Sequence, residues 1–264
     1  MVDLEYSANV IGTKAFNLYR MQSSGIRIPE FFVLSDCVFQ EDVKAIRHKI
    51  AHKLSRMAAK YYAVRSSSNL EDGENASFAG LFETILNVPK EDVPEAVLQV
   101  FSSASSHQLY EYCMSKNIAV KRGTINVIVQ EQINSVSSGI CITHLDFSPD
   151  CLYVEACRGQ CAAIADGRVV PSCYQISRNT RDIVATEHGD QSIILTCDRS
   201  GGLQEIKSKT NVLELPVLSK KQLLEITNTA LKIEKIIITK TVDMEWTFDE
   251  KNFYVLQARP YIQI

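Results

Sequence analysis

The chain has 264 residues, 45% of them hydrophobic and 22% charged, with a formal net charge of −3. That length gives one two-lobed domain or two small ones with ample core, and the composition is ordinary for a soluble globular protein. The charge balance excludes a general attraction to nucleic acid or anionic membrane, and no stretch approaches the ~20 apolar residues of a membrane span. The N-terminal MVDLEYSANV lacks the basic and apolar regions of an export signal, so a cytoplasmic location is expected. The eight cysteines, at positions 37, 113, 141, 151, 157, 161, 173 and 197, contain no CxxC pair and read as reduced thiols. His48 and His52 lack the glutamate of an HExxH motif, and Cys157 and Cys161 lack a second pair, so no zinc centre is predicted.

In chain order, residues 9 to 24 (NVIGTKAFNLYRMQSS) run from a glycine turn into an amphipathic helix. Lys14 stands at the junction, where helix amides and an ammonium converge on phosphate; the plainer reading is a solvated lysine. Gly25 ends the helix, and IRIPEFFVLS follows as a strand. Residues 38 to 60 read as one basic helix with Val43, Ile46, Ile50, Leu54 and Met57 on its apolar face.

Next comes AVRSSSNLEDGENASFAGLFET, residues 63 to 84. A strand-like lead-in, Tyr61 to Val64, delivers Arg65, then the hydroxyls Ser66 to Ser68, then an acidic loop in which Gly73 and Gly80 bracket Asn75, Ser77 and Phe78. A forked cation beside hydroxyls and adaptable amides suits a polyphosphate. A solvated loop with one surface arginine fits the residue types equally well. A strand is expected over Thr84 to Val88, then a long helix from about Asp92 to Lys116 started by Pro94 and Glu95.

The β-branched run TINVIVQEQI, residues 124 to 133, predicts a buried strand. Residues 152 to 177 read as two strands around a loop, and 182 to 207 as three short strands separated by turns at His188–Asp190 and Ser200–Gly202. A helix from Leu218 opens with the capping-box pattern Ser219-x-x-Gln222. The last segment, DMEWTFDEKNFYVLQARP, predicts a hairpin turning at Asp249–Asn252. Alternation puts Asp243 and Glu245 on one face of its first strand, and Gln257 and Arg259 on one face of the second. Glu245 and Gln257 then offer oxygen ligands to Mg²⁺, with Arg259 beside them for phosphate. A structural Glu–Arg pair is the competing reading.

The wording of these segments resembles the ATP-binding domain shared by phosphoenolpyruvate synthases, pyruvate phosphate dikinases and rifampin phosphotransferases. The likeness is collinear over nearly the whole chain: GTKAFNL at Lys14, the arginine loop, VQEQ at 129–132, the segment from Glu155 to Tyr174, and DMEW…VLQARP. Departures are Thr13 for a glycine, Gln132 for a methionine, and Arg158, Cys161, Ala162 and Ser172 for an aromatic, a glycine, a glutamate and an aspartate.

The resemblance implies an α+β ATP-grasp fold, two lobes clamping a nucleotide, divided as residues 1–125 and 126–264. It implies ATP and Mg²⁺ as cofactors, with Lys14, Arg65 and Arg259 as catalytic and phosphate-binding groups. Ser66, Ser77 and Gly80 would help to hold the nucleotide, and the backbone of Gln130 and Glu131 would meet the adenine edge. Glu245 and Gln257 would be the metal ligands, and the segment Asn75 to Gly80 would close over the site.

The chain stops a few residues after QARP, and none of its five histidines lies in anything like the family's phosphohistidine motif. Three readings follow. In the first, the chain is a phosphotransferase passing a phosphoryl group to a histidine domain or acceptor on a separate polypeptide. In the second, it is a compact kinase or ligase acting directly on a small molecule. In the third, it is a catalytically impaired nucleotide-binding regulatory module, which the departures at Thr13, Cys161 and Ala162 favour.

Overall fold

The computed structural model describes residues 8–68, 83–103, 125–208 and 215–261. The chain divides into two compact α+β units. Unit 1 is formed by residues up to Tyr19, Pro29–Gln132 and Arg199–Gly202; unit 2 is formed by Arg20–Ile28, Ile133–Asp198 and Leu203–Ile264.

Unit 1 is built on an antiparallel four-stranded sheet of order β1-β4-β2-β3: β1 Phe31–Leu34, β2 Tyr61–Ser68, β3 Thr84–Pro89 and β4 Ile125–Glu131. One face carries Phe32, Leu34, Tyr62, Val64, Val127 and Val129 into a core shared with Ile46, Ile50 and Leu54 and with Val93, Val97 and Val100. These last two sets come from α3 (Val43–Leu54) and α4 (Val93–Ser103), whose apolar residues recur at three- and four-residue spacing. A short helical turn, α1 (Ala8–Ile11), precedes α2 (Thr13–Ser23), the amphipathic helix expected from the sequence.

The single basic helix expected over 38–60 is broken. A 3₁₀ turn occupies Asp36–Gln40, and α3 starts only at Val43 because extended Asp42 caps it, accepting the Ala45 amide at 2.9 Å. The helix tightens and stops after Leu54, where Arg56 and Met57 donate to the carbonyls of Lys53 and Leu54. Val43 is consequently exposed, and Met57 reaches the core from the turn instead of the helix. Of the long helix expected from Asp92, Val93–Ser103 is present; the remainder lies outside the described residues.

Unit 2 is built on an antiparallel six-stranded sheet of order β12-β11-β5-β6-β7-β8. Its strands are β5 Ser137–Ile142, β6 Cys151–Arg158, β7 Ser172–Ser177, β8 Ile183–Glu187, β11 Val242–Phe248 and β12 Phe253–Pro260. One face is buried at its centre: Leu152, Val154, Ile176, Val242, Met244 and Trp246 are all at 0% exposure, while the edge strand β8 is exposed. Helix α6 (Lys220–Ile237) packs on β5, β11 and β12, turning Leu223, Ile226, Ala230 and Ile233 inward. Its N-terminus carries the expected capping box between Ser219 and Gln222. A bidentate pair between Arg178 and Glu234, both bonds 3.0 Å, ties the helix to the end of β7.

A satellite hairpin of β9 (Ile193–Cys197) and β10 (Leu203–Lys207) packs with α5 (Ala162–Ala165) around Cys157, Ala163, Val169 and Leu195. The three short strands expected over 182–207 are therefore β8, β9 and β10. Among the described residues, no helix is long and apolar enough to cross a membrane.

Candidate nucleotide site

In unit 1, the placement of Lys14 and Arg65, expected from the sequence to bind phosphate, depends on how α2 is pinned to β2. Ser67 Oγ donates to the Ile11 carbonyl at 2.9 Å and accepts the Ala15 amide at 3.1 Å, satisfying one of the orphan donors at the start of α2. The approach is so close that a Cβ on Gly12, which has φ +80°, would stand 2.4 Å from Ser67 Oγ. Only glycine fits there. The turn bearing Thr13 and Lys14 is thereby pressed against the strand that carries Arg65.

The strand lead-in expected over Tyr61 to Val64 extends through the serine triplet, because β4 pairs with β2 along its whole length, up to Ser68 opposite Ile125. The triplet is buried, Ser66 at 1% and Ser67 and Ser68 at 0% exposure, instead of lying in a loop. Arg65 stands opposite Ile128, and Ala63 opposite Gln130, so Arg65 and Gln130 share the face away from the core. Ser66 turns to the opposite face with Val64 and Val127. Among the three serines, the hydroxyl on the Arg65 side is that of Ser67, and it holds the helix.

At the end of β4, the Glu131 amide donates to the Glu30 carbonyl at 2.8 Å, and the Gln132 amide to Tyr61 at 3.0 Å. The side chain of Gln132, where the family has methionine, accepts the amide of Asn87 at 3.2 Å. Asn87 has φ +55° and donates through Nδ2 to the Gly202 carbonyl at 2.6 Å. Burial, then Glu30 and Glu131, push the Tyr62 phenol upward, so it stays protonated and donates to the Ala59 carbonyl. Ser77, Gly80 and the Asn75–Gly80 segment lie outside the described residues.

In unit 2, strand register sets out two rows on the face opposite α6. The first runs Gln257–Glu245–Ile140–Glu155–Cys173–Glu187 across β12, β11, β5, β6, β7 and β8. The second runs Arg259–Asp243–Ile142–Tyr153–Gln175–Ala185.

The four-residue turn at 249–252 alone would set Glu245 opposite Leu256. A β-bulge between Glu245 and Trp246 adds one residue on β12 and brings Gln257 opposite Glu245. Arg259 Nε donates to Asp243 Oδ2 at 3.0 Å, so the pair that forms is Asp–Arg, and it orients the guanidinium. Gly139 lets the sheet close here: a Cβ would meet the Glu155 carbonyl oxygen at 1.9 Å and the Trp246 ring at 2.8 Å.

Sequence reasoning assigned no role to Asp243 or to the carboxylate of Glu155. Burial, and then the charge of Asp243, raise Glu155 above the usual carboxylate range. Glu155 and Asp243 lie on adjacent rows two strands apart, ~10 Å at the usual strand spacing. The alternation of β6 and β11 was a signal that could have found both.

The donor set suits Mg²⁺. Glu245 and Gln257 are directly opposed oxygen donors, and this ion commonly takes one or two protein ligands, completing its shell with phosphate and water. Among the described residues, no group of three or more His, Cys, Asp or Glu side chains could hold a metal unaided. The seven described cysteines are free thiols, in keeping with the reduced state expected. Ala162, where the family has glutamate, packs against the apolar satellite cluster and offers no ligand.

Relatives agree with the pattern. A probable phosphoenolpyruvate synthase of Methanocaldococcus jannaschii is 29% identical over 234 residues, covering 86% of this chain and 20% of that protein. Another, from Archaeoglobus fulgidus, is 34% identical over 214 residues, covering 77% of this chain and 27% of that protein. The chain thus spans well under a third of either. Among solved structures, D-alanine–D-alanine ligase of Bacillus anthracis superposes with a TM-score of 0.42 at 10% identity, covering 93% of this chain and 55% of that one, too distant a likeness to carry chemistry. Residues 34–263 match the family described as pyruvate phosphate dikinase, AMP/ATP-binding domain, a range that includes every predicted site residue except Lys14. The chain belongs to the pyruvate phosphate dikinase AMP/ATP-binding domain family.

Proposed function

We propose that this chain is a Mg-ATP-dependent phosphotransferase of the ATP-grasp type, passing a phosphoryl group to a histidine domain or other acceptor on a separate polypeptide. The observation that carries this reading is the bulged hairpin of unit 2. It sets Glu245 opposite Gln257 and, one row along, fixes Arg259 against Asp243. A bulge that re-aims side chains at one point of a hairpin is a common feature beside active sites.

In this reading Glu245 and Gln257 hold Mg²⁺, which when bound spreads the charge of the transferring phosphoryl group. Arg259, held by its Nε edge, meets phosphate oxygens. Lys14, at the pinned start of α2, and Arg65, on the face of β2 away from the core, are the cations that unit 1 offers to phosphate. The backbone of Gln130 and Glu131 serves the adenine edge. Phosphoryl transfer is dominated by such positioning and charge stabilisation, which is what these groups provide.

Direct transfer to a small molecule is the second reading. A hollow of about 410 Å³ on the open face of the unit 2 sheet favours it.

The test is phosphorus NMR of Mg-ATP with the pure protein, alone, with a small-molecule extract of its host and with host protein fractions. AMP formed with the protein fractions supports transfer through a histidine domain; ADP formed with the extract supports direct transfer. Arg65→Ala and Glu245→Ala should abolish turnover in folded protein, and unimpaired turnover in either would refute the site. Bound ATP with no turnover in any sample would favour the impaired module.

A further inference from the structure

The two edges of the unit 2 sheet differ. Arg20–Ile28 belongs to the same unit, and the Val255 amide of β12 donates to the Arg27 carbonyl at 3.0 Å, so the β12 edge is covered. The other edge is β8, Ile183-Val184-Ala185-Thr186-Glu187, and every residue of it is exposed. Sheet edges are commonly guarded by lysine, proline, a bulge or a covering loop. β8 has neither lysine nor proline, and among the described residues no strand lies beyond it. Its register shift against β7 falls between Ala185 and Ile183, so Ala185–Glu187 keeps regular alternation.

The ladder identifies the unused backbone groups. The Arg178 amide donates to Asp150, on the β6 side of β7, and the Ser177 amide donates to Asp182, on the β8 side. Alternation then turns Gln175 and Cys173 toward β8, where they stand opposite Ala185 and Glu187. The N–H and C=O groups of Val184 and Thr186 therefore point away from the sheet. Such an edge is complementary to itself. Turned over antiparallel about Ala185, it sets Val184 opposite Thr186 of the second copy, twice, as hydrogen-bonded pairs. Charge agrees, because exposed Asp182 then falls opposite exposed His188 of the second copy, also twice.

An apolar flank runs beside this edge. Ile183 stands opposite buried Ile176, and Thr186 opposite buried Tyr174, so both lie on the α6 face of the sheet. Ile183 is nevertheless 37% exposed and Val184 60%. Arg181 Nε donates to Asn228 Oδ1 at 3.2 Å, which brings the start of β8 to α6. Leu224, one turn before Asn228 on the same helix face, is 45% exposed.

We propose that two copies of this chain pair β8 to β8, antiparallel about Ala185, joining their six-stranded sheets into one of twelve strands. Because β12 is covered, the pairing closes at two copies. A short edge with few apolar side chains lies at or below the ~1,200 Å² of stable complexes, so the dimer is reversible, with a dissociation constant of ~10–100 µM.

The test is sedimentation velocity of the full chain over ~1–500 µM, a range that brackets such an interface. Dimer should form with its midpoint in the stated range. Val184→Lys and Thr186→Pro should each weaken it about tenfold or more, since a lysine or a proline is what native edges use against pairing. Ile206→Lys, on β10 at a position 45% exposed, should leave it unchanged. Asp182→Lys should weaken the dimer about two- to fivefold, and adding His188→Asp should restore it. Amide exchange of the unsubstituted chain gives a readout that no variant's folding can disturb. The Val184 and Thr186 amides should slow as concentration rises through the midpoint, while those of Ala185 and Glu187, already bonded to β7, stay the same.

A chain that remains monomeric throughout overturns the proposal. So does a dimer that ignores Val184→Lys and leaves the Val184 and Thr186 amides unprotected, which would place the contact elsewhere. Failure of His188→Asp to rescue Asp182→Lys overturns the register about Ala185.

Discussion

The Asp243–Arg259 pair allows a quantitative check, because two views of Arg259 make different predictions. If its only role is to neutralise Asp243 at the surface, an exposed pair contributes ~0–1 kcal/mol. The pair here is better placed: the side chains are 37% and 16% exposed, and the Nε–Oδ2 distance is 3.0 Å between adjacent strands. A hydrogen bond to a charged group contributes ~1.5–3 kcal/mol when well buried. Discounting for an arginine more than a third exposed leaves ~1–1.5 kcal/mol.

The perturbation is a double-mutant cycle of Asp243→Asn, Arg259→Gln and the double variant, with urea denaturation at constant pH and salt. The coupling energy should be ~1–1.5 kcal/mol with unchanged m-values. In parallel, Asp243→Asn should weaken Mg-ATP about three- to tenfold, since a guanidinium released from its partner has to be oriented again at binding. Asp243→Asn also removes a negative charge, which by itself would tighten ATP. A tighter complex in that variant would therefore show that charge outweighs orientation. That result, or a coupling below ~0.3 kcal/mol, refutes the positioning argument.

Ser67→Ala removes the acceptor for the Ala15 amide and should cost ~1–2 kcal/mol, read as a lower urea midpoint, with weaker ATP binding through a loosened Lys14 turn. Gly139→Ala would force a Cβ to 1.9 Å from the Glu155 carbonyl oxygen; its backbone would have to shift, and loss of soluble protein or a melting temperature lower by ~10 °C or more is expected. Glu155 binds its proton more tightly in the folded chain than in the unfolded one, so its contribution favours folding at acid pH and is lost as pH rises from the ordinary carboxylate value through the raised one. Glu155→Gln should therefore stabilise the protein above that window and flatten its stability–pH curve, and an unchanged curve would argue against the raised proton affinity.

Much of this architecture was legible because period and punctuation agree in the sequence. The capping box at Ser219, the hairpin turn at Asp249–Asn252 and the three strands from 183 to 207 stand where pattern and turn chemistry put them. The helix at 38–60 failed because periodicity carries across a cap: Asp42 interrupts the backbone without interrupting the apolar spacing. The continuation of β2 through the serine triplet was not legible, because hydroxyls after an arginine carry no strand signal, whereas pairing with a β-branched strand far along the chain buries them. At the hairpin, alternation placed Glu245 and Gln257 on suitable faces, yet their pairing depends on a bulge that no residue in the segment announces. Asp243 was visible as a face-mate of Glu245, but its grip on Arg259 depends on that same one-residue shift.

The charge pattern on the open face of the unit 2 sheet bears on why a metal would be required. Asp243 and Arg259 largely offset one another at 3.0 Å, which leaves the carboxylates of Glu245 and Glu155 along the neighbouring row. A triphosphate approaching that face meets repulsion from its own sign of charge unless a cation intervenes. Burial and then the charge of Asp243 raise the proton affinity of Glu155, whereas Glu245 is opposed to Gln257 in the arrangement that suits a shared divalent ion. Under the proposed function, the face would therefore disfavour free ATP and favour its magnesium complex. Replacing Glu245 by glutamine should weaken Mg-ATP while tightening metal-free ATP, a crossing of affinities that loss of shape alone would not produce.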